Sequence, residues 1–389
     1  MKILAIETSC DETAISLLEA NSGFENPKFK VLSNALNSQI ELHKEYGGVY
    51  PSLAKREHTK NLTPLLLKVM EEVFGNTKLE TLNDRREPEN HSNVLKKIRM
   101  VLEREPELFE QFARIVLDIK KPDIDYIAVT EGPGLEPALW VGINFAKALS
   151  LLWNIPLIPI NHMEGHILSP LLNKENKITF PSLALLISGG HTELVLMKDW
   201  YQYEVVGETQ DDAVGEAFDK TARMLGLPYP GGPEISKLAK ETRNGNYEHK
   251  HSLPKPMLKD NTCHFSFSGL KTAVLYRLKE LNITDEIRKE FARELEDTIV
   301  EILIKKTEKA LDEHGAKSLI IGGGVIANAE IRKAFLNLGT ERNLPILIPE
   351  KEVSTDNAIM IGIAGYFRAL KNPSGFDIEK IGANGNLSL

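Results

Sequence analysis

The sequence predicts an α/β protein of two lobes, and three observations carry that prediction. A strand–tip–strand pattern occurs twice, at residues 2–18 and 183–197, each opening a block of about 180 residues, as a duplicated unit would. Apolar strand-like runs alternate with helical patterns after each hairpin, the rhythm of an α/β fold. Small-residue turns stand where strands end, at Ser188-Gly189-Gly190 and Gly322-Gly323-Gly324.

Composition agrees with this class. The 389 residues carry 47 Lys+Arg against 55 Asp+Glu, a net charge of −8, with 42% hydrophobic and 26% charged residues. Disordered, collagen-like and low-complexity classes are excluded, and the length suits two or three domains. Two distant cysteines, Cys10 and Cys263, rule out a disulfide framework or a multi-cysteine metal site and suit a reducing compartment. The acidic balance argues against non-specific nucleic-acid coating and leaves room for a local basic groove. The first apolar run is cut by Glu7 and Asp11, unlike a secretory leader, and is neither Arg-rich nor acid-poor, unlike a transit peptide. The longest apolar stretch, 148–160, is broken by Asn154, Pro156 and Pro159 and is too short to span a bilayer. The expectation is a soluble cytoplasmic protein with no membrane part.

In chain order, residues 2–8 read as a strand, Ser9-Cys10-Asp11-Glu12-Thr13 as an acidic tip and 14–18 as the returning strand. A helix follows at 57–74. Residues 76–121 interrupt the rhythm: a turn-rich polar stretch with Arg85-Arg86-Glu87-Pro88 precedes helical patterns at 94–103 and 108–119. This segment reads as a helical insertion of two solvated helices with a packing stripe. A strand at 124–130, a helix at 137–153 and a short strand at 157–160 complete the first lobe, expected over 1–180. The second lobe, expected over 181–353, opens with the second hairpin. Helical pattern at 213–225, a polar loop at 244–262, helices at about 285–313, a strand at 318–321, a helix from Asn328 and a strand at 346–348 follow. The segment 354–389 is expected to return toward the first lobe.

His162 and His166 stand four residues apart, so on a helix they face one side and can chelate one metal ion; two independent histidines, one capping and one packing, is the alternative. In the zinc-protease helix the glutamate immediately follows the first histidine. Here Glu164 lies two residues on, roughly 200° round the helix, so the protease reading is set aside. The glycines of Ser188-Gly189-Gly190 and Gly322-Gly323-Gly324 would let backbone amides approach a phosphate, or serve as ordinary turns. With Ala327 the second turn fits the loose dinucleotide fingerprint, without its usual acid, and no Walker-type phosphate loop is present. Acids stand at Asp11 and Glu12, along Asp211, Asp212, Glu216 and Asp219, and at Asp356, where a helix cap is the plain alternative. Together these features describe a nucleotide and metal cleft between two α/β lobes.

Seven strings then fall into one family's order. They are Glu7-Thr8-Ser9-Cys10-Asp11-Glu12-Thr13, the His162/His166 pair, Ser188-Gly189-Gly190-His191-Thr192-Glu193, Gly215-Glu216-Ala217-Phe218-Asp219-Lys220, Tyr229-Pro230-Gly231-Gly232-Pro233, Phe265-Ser266-Phe267-Ser268-Gly269-Leu270-Lys271 and Gly323-Gly324-Val325-Ile326-Ala327-Asn328. The sequence resembles the TsaD family of tRNA adenosine threonylcarbamoyltransferases from residue 7 to Asp356-Asn357, leaving about 76–121 unmatched. The wording of 211–220 and of the Phe-Ser-Phe-Ser-Gly stretch is closer to the bacterial and organellar branch. The resemblance implies the actin-like, sugar-kinase-like ATPase fold (ASKHA) with two lobes. It implies His162, His166 and Asp356 as ligands of one divalent metal ion, iron(II) first and zinc second. It maps nucleotide and substrate binding, for threonylcarbamoyl-AMP and for ATP or AMP, onto Leu186, Ile187, Ser188, Gly189, Gly190, Asp219, Gly232 and Asn328. Some members carry an acid where this chain has Ser236.

The implied reaction moves a threonylcarbamoyl group from threonylcarbamoyl-AMP to the exocyclic amine of the adenosine just 3′ of the anticodon, in tRNAs reading codons that begin with A. Asp11 and Glu12 are the candidate general bases. The implied partners are tRNA, TsaB and TsaE homologues, and a TsaC-type enzyme that supplies the intermediate. A phosphotransferase or ATPase of the same fold is the alternative; it explains the nucleotide features and leaves the histidine pair unused.

Overall fold

A computed structural model describes residues 1–75, 88–243 and 252–389. The Arg85-Arg86 turn and residues 244–251 of the polar loop lie outside the described residues. The chain divides into two compact units, Met1–Glu175 with Asp356–Ser388, and Asn176–Thr355 with Leu389.

The first unit runs through strands β1 (Lys2–Glu7), β2 (Glu12–Asn21) and β3 (Lys28–Ser38), then helices α1 (Ile40–Lys44), α2 (Pro51–Phe74), α3 (Pro88–Val101) and α4 (Pro106–Ile115). Strand β4 (Tyr126–Gly132), helix α5 (Glu136–Trp153), strand β5 (Leu157–Asn161) and the short helix α6 (His162–Leu168) follow. The sheet order is β3-β2-β1-β4-β5. Strands β1 and β2 pair antiparallel from Lys2↔Glu19 to Glu7↔Ala14, and β1 pairs parallel with β4. Leu4 and Ile6 face a core shared with Leu62, Leu66, Leu139 and Phe145. The candidate insertion helices join it: Ile98, Leu102, Leu108 and Phe112 are buried there.

The second unit comprises β6 (Ser182–Ile187), β7 (Thr192–Asp199), β8 (Gln202–Glu208), α7 (Val214–Met224), α8 (Gly231–Arg243), α9 (Ser268–Lys279), α10 (Asp285–His314), β9 (Ser318–Gly322), α11 (Ala329–Arg342) and β10 (Ile346–Leu347). Its sheet order, β10-β9-β6-β7-β8, repeats that of the first unit read from the other edge. The expected helices near 285–313 are one helix of 30 residues, capped by Thr284 at its start and by Gly315, in the left-handed conformation, at its end.

The last helix, α12 (Ala358–Lys371), belongs to the first unit. It lies on the face of the sheet opposite α2 and α5. A Cβ on Gly362 would overlap Leu18, and one on Gly365 would stand 2.8 Å from Ala128 Cβ, so the two glycines let the helix axis come close. With both faces covered, β1 is an unbroken apolar run rather than an alternating one.

Candidate metal and nucleotide sites

The metal candidate is built wholly within the first unit. Strand β5 ends at Asn161, whose Oδ1 accepts the N–H groups of Met163 (2.8 Å) and Glu164 (3.3 Å) and so caps α6. The helix therefore starts at His162 and places His166 one turn on, with ring centroids 4.7 Å apart. Asp356, just before α12, brings its Oδ1 to 3.4 Å from His162 Nε2 and 3.2 Å from His166 Nε2. The three ligand atoms lie within 4.8 Å of one another, and among the described residues this is the one such cluster of His, Cys, Asp or Glu.

His166 is buried, its Nδ1 has no hydrogen-bond partner, and its Nε2 has only the Asp356 carboxylate beside it. An unsatisfied buried nitrogen costs about 1–3 kcal/mol, so the arrangement fits a group that accepts a lone pair. Two imidazoles and one carboxylate suit a divalent transition metal and leave coordination positions open. The electrostatics agree. Burial alone would lower the His162 pKa, but the carboxylates of Asp356 and Glu7 outweigh it and hold it well above the usual value. Burial depresses His166. Asp356, although buried, is held far below the ordinary carboxylate range by the two histidines. The donor set is thus poised to exchange a proton for a cation.

Glu7 completes the arrangement. It is fully buried at the end of β1, accepts the Ser9 N–H at 2.5 Å and the Thr130 hydroxyl, and stands 3.3 Å from His162 Nδ1. Burial would raise its pKa, but His162 pulls it below the usual value. Such a carboxylate behind a ligand histidine fixes the ring and leaves Nε2 free. Glu164 points elsewhere, its Oε2 accepting Arg368 Nε at 3.0 Å, as expected from its place on the helix.

Asp11 and Glu12 stand at the tip of the same hairpin. His58 Nε2 lies 3.0 Å from the Cys10 carbonyl, and its Nδ1 lies 2.7 Å from Thr13 Oγ1. Burial keeps His58 below its ordinary pKa and so neutral, with Nε2–H donating and Nδ1 accepting. The ring thus staples the tip from both sides. Burial, then Asp11 and Asp356, push Glu12 up to about 10, so it is protonated at neutral pH.

The second unit gathers the remaining candidates. The Ser188 carbonyl accepts the Gly215 N–H at 3.2 Å, joining the start of α7 to the glycine tip. Asp219 Oδ1 accepts the Gly231 N–H at 2.7 Å. Gly323, at φ +90°, packs against the Ile187 carbonyl with no room for a Cβ. In contrast, a Cβ on Gly189 or Gly190 would meet nothing within 4 Å, and one on Gly232 or Gly324 only an atom at 3.9–4.0 Å. Those four glycines face open space. Leu186 and Ile187 are fully buried, so they can offer a ligand only their backbone. Asn328 Oδ1 caps α11, and its Nδ2 donates to Glu296 at 2.6 Å.

Two five-stranded mixed sheets of the same strand order, with helices on their faces, define an actin-like ATPase-type α/β protein. The fold is shared with full-length HypF in its phosphate- and nucleotide-bound form, at a TM-score of 0.54 and 12% identity, over 96% of this chain and 56% of that one. The sequence model of the TsaD family, tRNA N6-adenosine threonylcarbamoyltransferase, matches residues 30–83 and 107–363. The protein of that name from Ralstonia pickettii (strain 12J) is 41% identical over 379 residues, covering 96% of this chain and 93% of that one. The one from Thermosipho africanus (strain TCF52B) is 42% identical over 371 residues, covering 94% of each. The chain belongs to the tRNA N6-adenosine threonylcarbamoyltransferase family. Among its described residues no helix is long and apolar enough to cross a membrane.

Proposed function

We propose that this chain transfers the threonylcarbamoyl group of threonylcarbamoyl-AMP to the exocyclic amine of the adenosine 3′ of the anticodon, in tRNAs reading codons that begin with A. Family membership together with the intact His162–His166–Asp356 cluster carries this reading. The donor is a mixed carbamoyl–phosphate anhydride and already activated, so the protein's task is mainly positioning. The amine attacks the carbamoyl carbon, the carbon–oxygen bond to phosphate breaks, and AMP leaves with that electron pair. His162, His166 and Asp356 would hold the metal ion, iron(II) first and zinc second, which when bound supplies Lewis-acid stabilisation of negative charge. Glu7 fixes the His162 ring. The amides of Gly189 and Gly190 hold the leaving phosphate, and Asp219, Gly232 and the Asn328 turn hold the nucleotide. Asp11 and Glu12, at the tip of the β1–β2 hairpin, are the candidate bases for the amine proton. The acceptor base lies in an unpaired loop, where extrusion costs little. TsaB and TsaE homologues assist, and a TsaC-type enzyme supplies the donor.

The test is incubation of unmodified tRNA with threonylcarbamoyl-AMP, iron(II) or zinc and the partner proteins, followed by nucleoside mass spectrometry. Threonylcarbamoyladenosine should appear only with the chain present. In a parallel incubation of the chain alone with ATP, hydrolysis, together with no modified nucleoside in the first incubation, would favour the phosphotransferase reading instead.

A further inference from the structure

Tyr46 and Tyr50, on the loop between α1 and α2, are 61% and 54% exposed, yet their rings stack on each other with centroids 5.7 Å apart and planes 22° apart. Leu42, on α1, is 46% exposed. Two large rings held ready-stacked in solvent are an unusual use of apolar surface on a chain with a well-filled core.

The loop is also anchored. The Tyr50 N–H donates to Nδ1 of the buried His43 at 3.3 Å, and the His43 carbonyl accepts the Gly48 N–H. His43 Nε2 stands 3.3 Å from Gln39 Oε1, and the Gln39 N–H donates to the Asp11 carbonyl at 2.9 Å. A short buried relay thus ties the aromatic pair to the acidic hairpin tip. Lys44, Lys55 and the exposed Arg56 lie on the same stretch of chain, each beside a carboxylate, of Glu41, Glu105 and Glu57 in turn, that a phosphate would have to displace.

We propose that the Tyr46–Tyr50 pair is a stacking platform for an unpaired nucleobase of the anticodon loop, beside the acceptor adenosine. This rests on the tRNA reading above and deepens it. Sequence-specific and single-stranded RNA sites splay bases onto aromatic rings, and cations on the same stretch suit the adjoining phosphates. The tie to the Asp11 tip favours a substrate base over a protein partner.

The experiment uses the full chain and an anticodon stem-loop carrying 2-aminopurine in the loop. Wild type should bind it and quench the 2-aminopurine emission. Tyr46→Ala with Tyr50→Ala should weaken binding about tenfold or more, as loss of one stacked base does, and abolish the quenching. The salt dependence should stay unchanged because no phosphate contact is removed. Tyr46→Phe with Tyr50→Phe, which keeps both rings, should retain affinity and quenching. Unaltered affinity and quenching in the alanine variant overturns the platform and leaves the transferase reading intact. Loss of binding to a TsaB homologue with unchanged RNA binding makes the rings a protein contact and also overturns it. A wild-type chain that binds no stem-loop even with the partner proteins added overturns both this inference and the reading beneath it.

Discussion

The first hairpins of the two units share a place in the same strand order and end in opposite chemistry. The β1–β2 tip carries Ser9, Asp11 and Glu12, with Glu7 behind it and His58 clamped across it. The β6–β7 tip carries two glycines with open space where side chains would stand. One tip gathers acids beside the histidine pair, chemistry that suits a cation; the other offers backbone amides free of Cβ atoms, chemistry that suits an anion. Duplication repeats the sheet, while the loops at strand ends are what differ, since they can change without disturbing a core.

Five substitutions sharpen or break that contrast. Asp356→Ala removes the carboxylate of the proposed His162–His166–Asp356 metal site; losing one ligand of three should cost the metal several kcal/mol of binding. Modified nucleoside should then fall to background, and normal yield would detach the cluster from the chemistry. Gly189→Val should remove nucleotide binding in calorimetry while the melting temperature holds, because its Cβ meets no protein atom within 4 Å. Gly323→Ala should do the reverse at first order. Its positive φ and contact with the Ile187 carbonyl predict about 1–3 kcal/mol of strain, read as a lowered melting temperature with or without nucleotide. Equal melting temperatures for the two variants would contradict the distinction.

His58→Ala leaves the Cys10 carbonyl and the Thr13 hydroxyl without their buried partner, at about 1–3 kcal/mol, and should lower stability together with turnover. Glu12→Gln has an effect that depends on pH. Glu12 titrates near 10 when folded and near its ordinary 4.5 when unfolded. Between those values the folded chain binds the extra proton, so wild-type stability falls as pH rises. The variant's gain in melting temperature should therefore be larger at pH 8 than at pH 5. A gain independent of pH would mean the carboxyl is ionised in the folded chain.

Local pattern made half of this legible. The two hairpins, the histidine pair and the glycine turns are contiguous signals, and spacing alone placed Glu164 away from the histidine pair. Asp356 is a candidate ligand in the sequence only through family likeness, since 190 positions separate it from His166 and nothing local distinguishes it from a helix cap. Glu7 and His58 were not singled out. Each acts through a fold contact across the unit, although an acid closing a buried apolar strand was a readable signal at Glu7. Edge strands β3 and β8 escaped because Lys28–Ser38 and Gln202–Glu208 are polar on much of both faces. The start of α8 escaped because Gly231-Gly232-Pro233 reads as a turn.

The most direct test is metal content. Elemental analysis of the purified chain should find one iron or zinc per wild-type molecule. It should find none in His162→Ala with His166→Ala, with the circular dichroism spectrum unchanged. Full metal occupancy in that double variant would contradict the site on which the account rests.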